Sequence, residues 1–201
     1  MPMESLRNVI QDVVSRLPEK SEYRPPVKQH DVQTAFVETL PTRFAGCTFE
    51  NYEITNPKQE HVIAILRKAV SEKASIVLIG PPGVGKDHLL IAAAKEFTRK
   101  HNLPAKRICG YELSIDDDLL RLCSKVSLLI ASDPNANQMW FSLIDRRWSN
   151  RLPTWVAINA NSRAEAIDKY GEAFVSRIED EAYVCRCEWK SHRCARHIFK
   201  G

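Results

Sequence analysis

The sequence predicts a three-layer α/β domain: a parallel sheet, covered by helices on both faces, with a phosphate-binding loop at the end of its first strand. Three observations predict it. Short apolar runs rich in β-branched residues alternate with segments of helical periodicity from Ser75 onward, the pattern of parallel strands joined by crossover helices. The segment Gly80-Pro81-Pro82-Gly83-Val84-Gly85-Lys86-Asp87 follows the first such run directly and opens a helix, which is the context that gives G-x-x-x-x-G-K its meaning. The chain has 201 residues, 44% of them hydrophobic and 27% charged, enough for one principal domain with a real core.

Leu6, Val9, Ile10, Val13, Val14 and Leu17 fall at helical spacing, which predicts an amphipathic helix from Ser5 to Leu17 that ends before Pro18. The polar stretch from Glu19 to about Asp31, with Pro25-Pro26, reads as a linker. Residues 1–41 are therefore assigned to a short N-terminal helix and linker. That helix is either a separate docking element or a segment folded back on the main domain, because an isolated helix of this length is marginal. Residues 42–201 are assigned to the main domain.

Its first helix is announced by Asn56 as cap, Pro57 at the first helical position and Gln59 as capping-box partner, with Val62, Ile63, Leu66 and Val70 as inner stripe. Ser75 to Ile79 is the first strand, and Lys86 to about Lys100 the helix after the loop. A candidate strand near Arg107 to Cys109, a helix from about Asp116, a strand from Val126 to Ala131 and a helix from about Ala136 to Asn150 follow. A strand from Thr154 to Ile158 then precedes a helix whose Ser162 and Glu165 form a second capping box.

No apolar run approaches the roughly 20 residues needed to span a bilayer, and Met-Pro-Met-Glu-Ser at the start lacks the features of a secretory signal. A cytoplasmic protein without a membrane span is expected. The six cysteines are then expected to be reduced. Cys185, Cys187, His192, Cys194 and His197 have residue types that suit zinc, but their spacing lacks paired C-x-x-C knuckles. Alternation along a strand, with Cys185 and Cys187 on one buried face, is the other reading. A formal charge of +4 permits an acidic partner such as DNA and does not require one.

In the loop, Gly80, Gly83 and Gly85 let successive N–H groups face phosphate oxygens, with Pro81, Pro82 and Val84 between them and the helix N-terminus behind. Lys86 is placed to reach the β- and γ-phosphates of ATP, or the β-phosphate of ADP. Asp87 departs from the motif, because a serine or threonine hydroxyl there would hold Mg2+. The run Val126 to Asp133 occupies the place of a Walker B strand, and it ends in Ser132 and Asp133 where two acids are the rule. Loop and strand thus look as though hydroxyl and carboxylate have been exchanged. On one reading Asp87 and Ser132 hydrogen-bond and, with Asp133, still hold magnesium; on the other the metal site and hydrolysis are lost.

Beyond the loop, several runs resemble the AAA+ helicase loaders of the DnaC and DnaI type and the IstB transposition helpers. They are Arg43-Phe44, Cys47-Thr48-Phe49-Glu50-Asn51-Tyr52, His88-Leu89, Leu143-Ile144-Asp145-Arg146-Arg147-Trp148, Pro153-Thr154, Phe174-Val175-Ser176-Arg177 and Trp189-Lys190-Ser191-His192-Arg193. The likeness extends from about Arg43 to Arg193. It implies a P-loop NTPase of the AAA+/ASCE kind with a truncated lid. Under it, Phe49 and Tyr52 flank adenine or else pack in the core, and His88 sits beside the loop. Asn159 is the first sensor, with Asn161 as fallback or helix cap. Arg177 is a finger supplied to a neighbouring subunit, or else a surface partner of Glu179 or Asp180, and Arg193 is a second sensor.

The resemblance implies an ATP-binding loader that assembles as a homo-oligomer with ATP bound and engages a hexameric replicative DNA helicase of the DnaB type and single-stranded DNA. Lys86, Asp133, Asn159 and Arg177 would carry any ATPase chemistry. A hydrolysis-deficient adaptor or inhibitor of the helicase, and a transposition helper, are the alternatives. For DNA, Arg146, Arg147 and Arg151 with Trp140 and Trp148 nearby supply phosphate contacts and a stacking face. The competing reading is a solvated basic helix face with its tryptophans in the core.

Overall fold

The computed structural model describes residues 29–113 and 117–193; the helix expected at Ser5 to Leu17 lies outside them. Strands β1 (Ser75–Gly80), β2 (Ala105–Cys109), β3 (Leu128–Ser132), β4 (Thr154–Asn159) and β5 (Ala182–Arg186) form one sheet in the order β2-β3-β4-β1-β5. Every pairing is parallel. The helices are α1 (Gln29–Glu38), α2 (Thr42–Ala45), α3 (Pro57–Glu72), α4 (Lys86–His101), α5 (Asp117–Lys125), α6 (Gln138–Ser149), α7 (Arg163–Tyr170) and α8 (Glu172–Glu179).

Side chains of a strand alternate between faces, and the core divides accordingly. Ile76, Leu78, Leu128, Ile130, Trp155 and Ala157 pack with Leu66 and Val70 of α3 and Leu90 and Phe97 of α4. The intervening Val77, Ile79, Leu129, Ala131, Val156 and Ile158 pack with Leu143 and Ile144 of α6 and Val175 and Ile178 of α8. Central strands buried on both faces must be apolar throughout, which is why they read as continuous runs. The expected P-loop fold, a parallel sheet between two helical layers, is what the chain forms.

Local signals set most boundaries. Asn56 accepts from the Lys58 N–H, Pro57 opens α3, and the Gln59 side chain accepts from the Asn56 N–H at 2.7 Å. At α7 the cap is Ser162, but the Glu165 carboxylate reaches past it to the N–H of Asn161 at 2.7 Å. β2 begins at Ala105 rather than Arg107, and β3 runs from Leu128 to Ser132 rather than from Val126.

Ahead of residue 42, α1 lies against α4, and Phe36 and Leu40 belong to the core. An apolar stripe of so few residues carried too little periodicity to be read as a helix. One expectation is corrected: Arg147, expected to contact DNA, is fully buried. Its guanidinium donates to the carbonyls of Cys123, Val126 and Pro153 at 2.7, 2.8 and 2.7 Å and to Thr154 Oγ1 at 2.8 Å. These bonds tie the ends of α5, α6 and β4 together. Burial pushes the Arg147 pKa down to about 10, still far enough above neutrality to keep it charged.

Cys185 and Cys187 share the buried face as the alternation reading held, and the Cys187 N–H donates to Ile79 O at 2.7 Å, carrying the pairing past the end of β5. Burial pushes their thiols up to about 11 and about 12, so without metal both are protonated at neutral pH. Among the described residues no group of three His, Cys, Asp or Glu side chains could share a metal; Cys194 and His197 lie outside them.

Replacing Arg147 with alanine orphans three buried carbonyls at once, so urea unfolding is expected to show a loss of about 3–5 kcal/mol. Arg146→Glu, on the exposed side of the same helix, should stay within about 0.5 kcal/mol of the parent protein.

Candidate functional site: the cleft at the phosphate loop

The loop between β1 and α4 turns sharply because Gly83 and Gly85 take φ of 89° and 90°, values that L side chains rarely adopt. Its position is then fixed by its neighbours. The Val84 carbonyl accepts from Tyr52 Oη at 3.0 Å and from Trp189 Nε1 at 2.8 Å, and the Gly83 carbonyl accepts from the His192 N–H at 3.0 Å. Gly80 has no room for a side chain: an added Cβ would lie 2.5 Å from the Cys187 carbonyl oxygen. The role of Trp189 as a buttress was not read from the sequence, where only its likeness to a family segment stood out.

Lys86 stands at the entrance of α4, and its ammonium is held by oxygens on three sides. It donates to the carbonyls of Gly80 and Pro81 at 2.7 and 2.9 Å and to Asn159 Oδ1 at 2.9 Å. Asn159 is there because it pairs with Gly80 in the β1–β4 register. Burial holds the Lys86 pKa below the usual lysine range, while Asp87 and Asp133 act against that shift. A cleft of about 930 Å³ opens over this group, and Tyr52, Asp87, His88, Asp133, Asn159 and Arg193 are among the residues that line it. These expected site residues therefore do come together.

Others do not. Phe49 is buried under Arg67, whose guanidinium lies 4.9 Å from its ring, and it does not line the cleft. Of the two aromatics, Tyr52 alone sits at the pocket wall, edge-on to His88 and His192 at centroid distances of 5.1 and 5.3 Å. His88 Nε2 is 2.8 Å from the Thr48 carbonyl oxygen. Asn161 is committed to Glu165 through both its N–H and its side-chain amide, so it serves the start of α7 rather than the cleft.

The expected Asp87–Ser132 hydrogen bond is not made. Asp87 Oδ1 and Ser132 Oγ are both buried without a hydrogen-bond partner, and so is Arg107 Nε. Asp87 Oδ1 faces Arg107 Nη2 at 4.0 Å instead, an ion-pair distance too long for a hydrogen bond. Arg107 rests against Phe44, its guanidinium carbon 4.7 Å from the ring centroid. A lone arginine in an edge strand gave no sequence signal for this. Asp133 adopts φ of 47° and turns its carboxylate to Lys169 Nζ at 3.6 Å and Tyr170 Oη at 3.4 Å. Magnesium prefers oxygen ligands in near-octahedral array. Here one carboxylate faces a guanidinium and the other an ammonium, so neither is turned with Ser132 Oγ toward a common point. The residues present do not fit the magnesium site expected at Asp87, Ser132 and Asp133.

A second cleft, of about 640 Å³, is lined by Trp148, Arg151, Arg177 and Asp180, among others. Arg177 pairs with Asp145, donates to the Ala173 carbonyl at 3.0 Å, and lies over the rings of Phe141 and Trp148 at 4.8 and 5.3 Å. The surface pairing with Glu179 or Asp180 is not made; Glu179 binds Arg163 at 2.8 Å and Asp180 accepts from Trp148 Nε1 at 2.7 Å. Arg146 and Arg151 are exposed. Trp148 is 44% exposed, whereas Trp140 is buried and donates to the Gly110 carbonyl at 3.0 Å.

No family model matches the chain. It is 29% identical over 162 residues to a protein of Bacillus thuringiensis subsp. berliner assigned as the ATP-binding protein of insertion sequence IS232, and it spans 65% of that relative's length with 71% of its own. Among solved structures it is similar to a protein assigned as a primosome component from Streptococcus pyogenes serotype M3, with a TM-score of 0.68 and 19% identity over 80% of this chain and 99% of that one. It superposes on the DnaC helicase loader with a TM-score of 0.65 and 19% identity, covering 73% of this chain and 99% of that one. For DnaI the values are 0.65, 20%, 77% and 95%. These likenesses agree with the resemblance drawn from the motifs and with the α/β P-loop fold described above.

At Gly85 the loop excludes a side chain both by space and by backbone conformation. An alanine Cβ there would stand 2.7 Å from Tyr52 Cε2 at a φ of 90°. Gly85→Ala is expected to lower stability by about 1–3 kcal/mol, read as a fall in thermal midpoint.

Proposed function

We propose that this cleft binds ATP and ADP, and that the chain acts as a nucleotide-binding protein of the helicase-loader type. The observation that carries this is the position of Lys86, whose ammonium is held at the mouth of a glycine turn by two loop carbonyls and Asn159. This ammonium is bonded only to neutral oxygens and lines an open cleft, so an anion that entered would meet an unpaired positive charge. Phosphate oxygens would take over those bonds, supported by loop N–H groups and the N-terminal dipole of α4. Tyr52 offers a wall for the base, and Arg193 lies beside Gly83, placed for a second cationic contact. The names of the relatives support nucleotide binding and a loader-type role.

For hydrolysis, Asp133 is the carboxylate available to take a proton from water, Asn159 the amide to orient it, and Arg177 the finger for a neighbouring subunit's nucleotide. Arg177 must first leave Asp145, which would link turnover to assembly of a homo-oligomer. The partners that fit are a hexameric replicative DNA helicase of the DnaB type and single-stranded DNA, the latter met by the exposed Arg146 and Arg151. A second reading, a nucleotide-bound adaptor that does not hydrolyse, is favoured by Ser132 in place of an acid and by the pairing of Asp133 with Lys169. The insertion-sequence relative favours a transposition helper over a helicase partner.

Lys86→Ala should weaken binding of labelled ADP at least about tenfold, the worth of one charge-assisted hydrogen bond; unchanged affinity would sink the proposal. Steady-state phosphate release, measured with helicase and single-stranded DNA present, separates the two readings. Turnover abolished by Arg177→Ala supports the loader, and no turnover in any combination supports the adaptor. Arg146→Glu with Arg151→Glu is expected to remove salt-sensitive single-strand binding.

A further inference from the structure

Building on the nucleotide-binding reading above, we propose that Arg107 takes the place of the divalent cation at this P-loop, so that nucleotide binds without magnesium. The residue sits one layer behind the cleft. β2 is an edge strand paired with β3, and Arg107 stands opposite Ile130 in that register, with Cys109 opposite Ser132. Ile130 packs with the α4 layer, so alternation puts Arg107 and Ser132 on the sheet face that α4 covers.

Arg107 is only 8% exposed although it lies in an edge strand. Phe44 supports one side of its guanidinium and Asp87 faces it at 4.0 Å. Asp87 itself lines the cleft and is 36% exposed, but its Oδ1 is turned inward and buried. The carboxylate that replaced the metal-binding hydroxyl therefore already has a cation. A divalent ion ligated by that oxygen would sit against a fixed guanidinium, and in a partly buried site that repulsion is poorly screened.

The two acids nearest the phosphate loop are also each faced by a cation without metal. An ordinary P-loop relies on its lysine and magnesium to offset both phosphate charge and the acids of its Walker B strand. Here Ser132 has removed one acid, Arg107 offsets Asp87, and Lys169 offsets Asp133 at 3.6 Å. Lys86, which makes no ion pair with either acid, is left for the phosphates together with Arg43 and Arg193 of the cleft wall. The buried, unpartnered Arg107 Nε and Asp87 Oδ1 are groups that a small shift of the guanidinium would join when phosphate charge arrives, drawing the pair together.

The test is binding of fluorescently labelled ADP to the full chain in excess MgCl2 and in excess EDTA, with thermal melting to track folding. Equal affinities, within about twofold, are expected for the natural protein. Arg107→Gln leaves Asp87 facing the phosphates uncompensated, so its affinity in EDTA should drop at least about tenfold while magnesium restores much of the loss. Arg107→Lys should bind like the parent in EDTA, and Asp87→Asn added to Arg107→Gln should recover metal-free binding. A merely structural Arg107 would lower affinity equally in both buffers, and that result overturns the proposal. Tenfold weaker binding of the parent protein in EDTA overturns it too, while leaving the P-loop reading intact. No binding in either buffer removes both. If Arg107→Gln does not fold, the parent comparison and Arg107→Lys still decide.

Discussion

The Val84 carbonyl is the point on which the arrangement depends. It accepts one hydrogen bond from Tyr52, ahead of α3, and one from Trp189, beyond β5. The loop it belongs to has two residues at positive φ and would gain conformational freedom if left alone. Two donors from opposite ends of the domain remove that freedom. Asn159 stands beside the lysine only because β4 pairs with β1 at Gly80. Loop, Tyr52 and Asn159 are consequently one mechanical unit, set by sheet register and by two bonds to a single oxygen.

Cations inside the body are used in contrasting ways. Arg147 and Lys86 are both buried and both bonded to neutral oxygens, yet Arg147 holds four acceptors contributed by distant parts of the chain and faces no cavity. Its bonds are structural, since the planar fork of a guanidinium can serve several carbonyls at once. Lys86 sits at a cleft, and its oxygens come from the phosphate loop and from an amide that can exchange partners. Arg107 is a third kind, facing a carboxylate that it does not hydrogen-bond. Burial alone does not separate these charges; the identity of the acceptors and access to a cleft do.

Much of the fold was legible in the sequence because each central strand is buried on both sides and each helix carries a stripe. The cap at Asn56 and the glycine turn at Gly80 to Gly85 are local events whose causes lie within a few residues. What was not legible depends on contacts between distant segments. Arg147 and Arg146 are neighbours in a basic run, and only the carbonyls of Cys123, Val126 and Pro153 tell them apart. Phe49 and Tyr52 are three residues apart and were read as a pair, but one meets Arg67 and the other the loop. The exchange of hydroxyl and carboxylate was visible at Asp87 and Ser132. Its resolution was not, because the deciding residue, Arg107, comes from a third segment.

The stretch from Cys187 to Arg193 crosses the back of the loop, touching Gly80, Val84 and Gly83 in turn through Cys187, Trp189 and His192. It contains no regular helix or strand among the described residues, yet Cys187 and Trp189 are buried in the core. The phosphate loop is therefore braced from behind by a segment that is itself anchored, and the shape of the turn is inherited from the packing under β5 as much as from its own glycines.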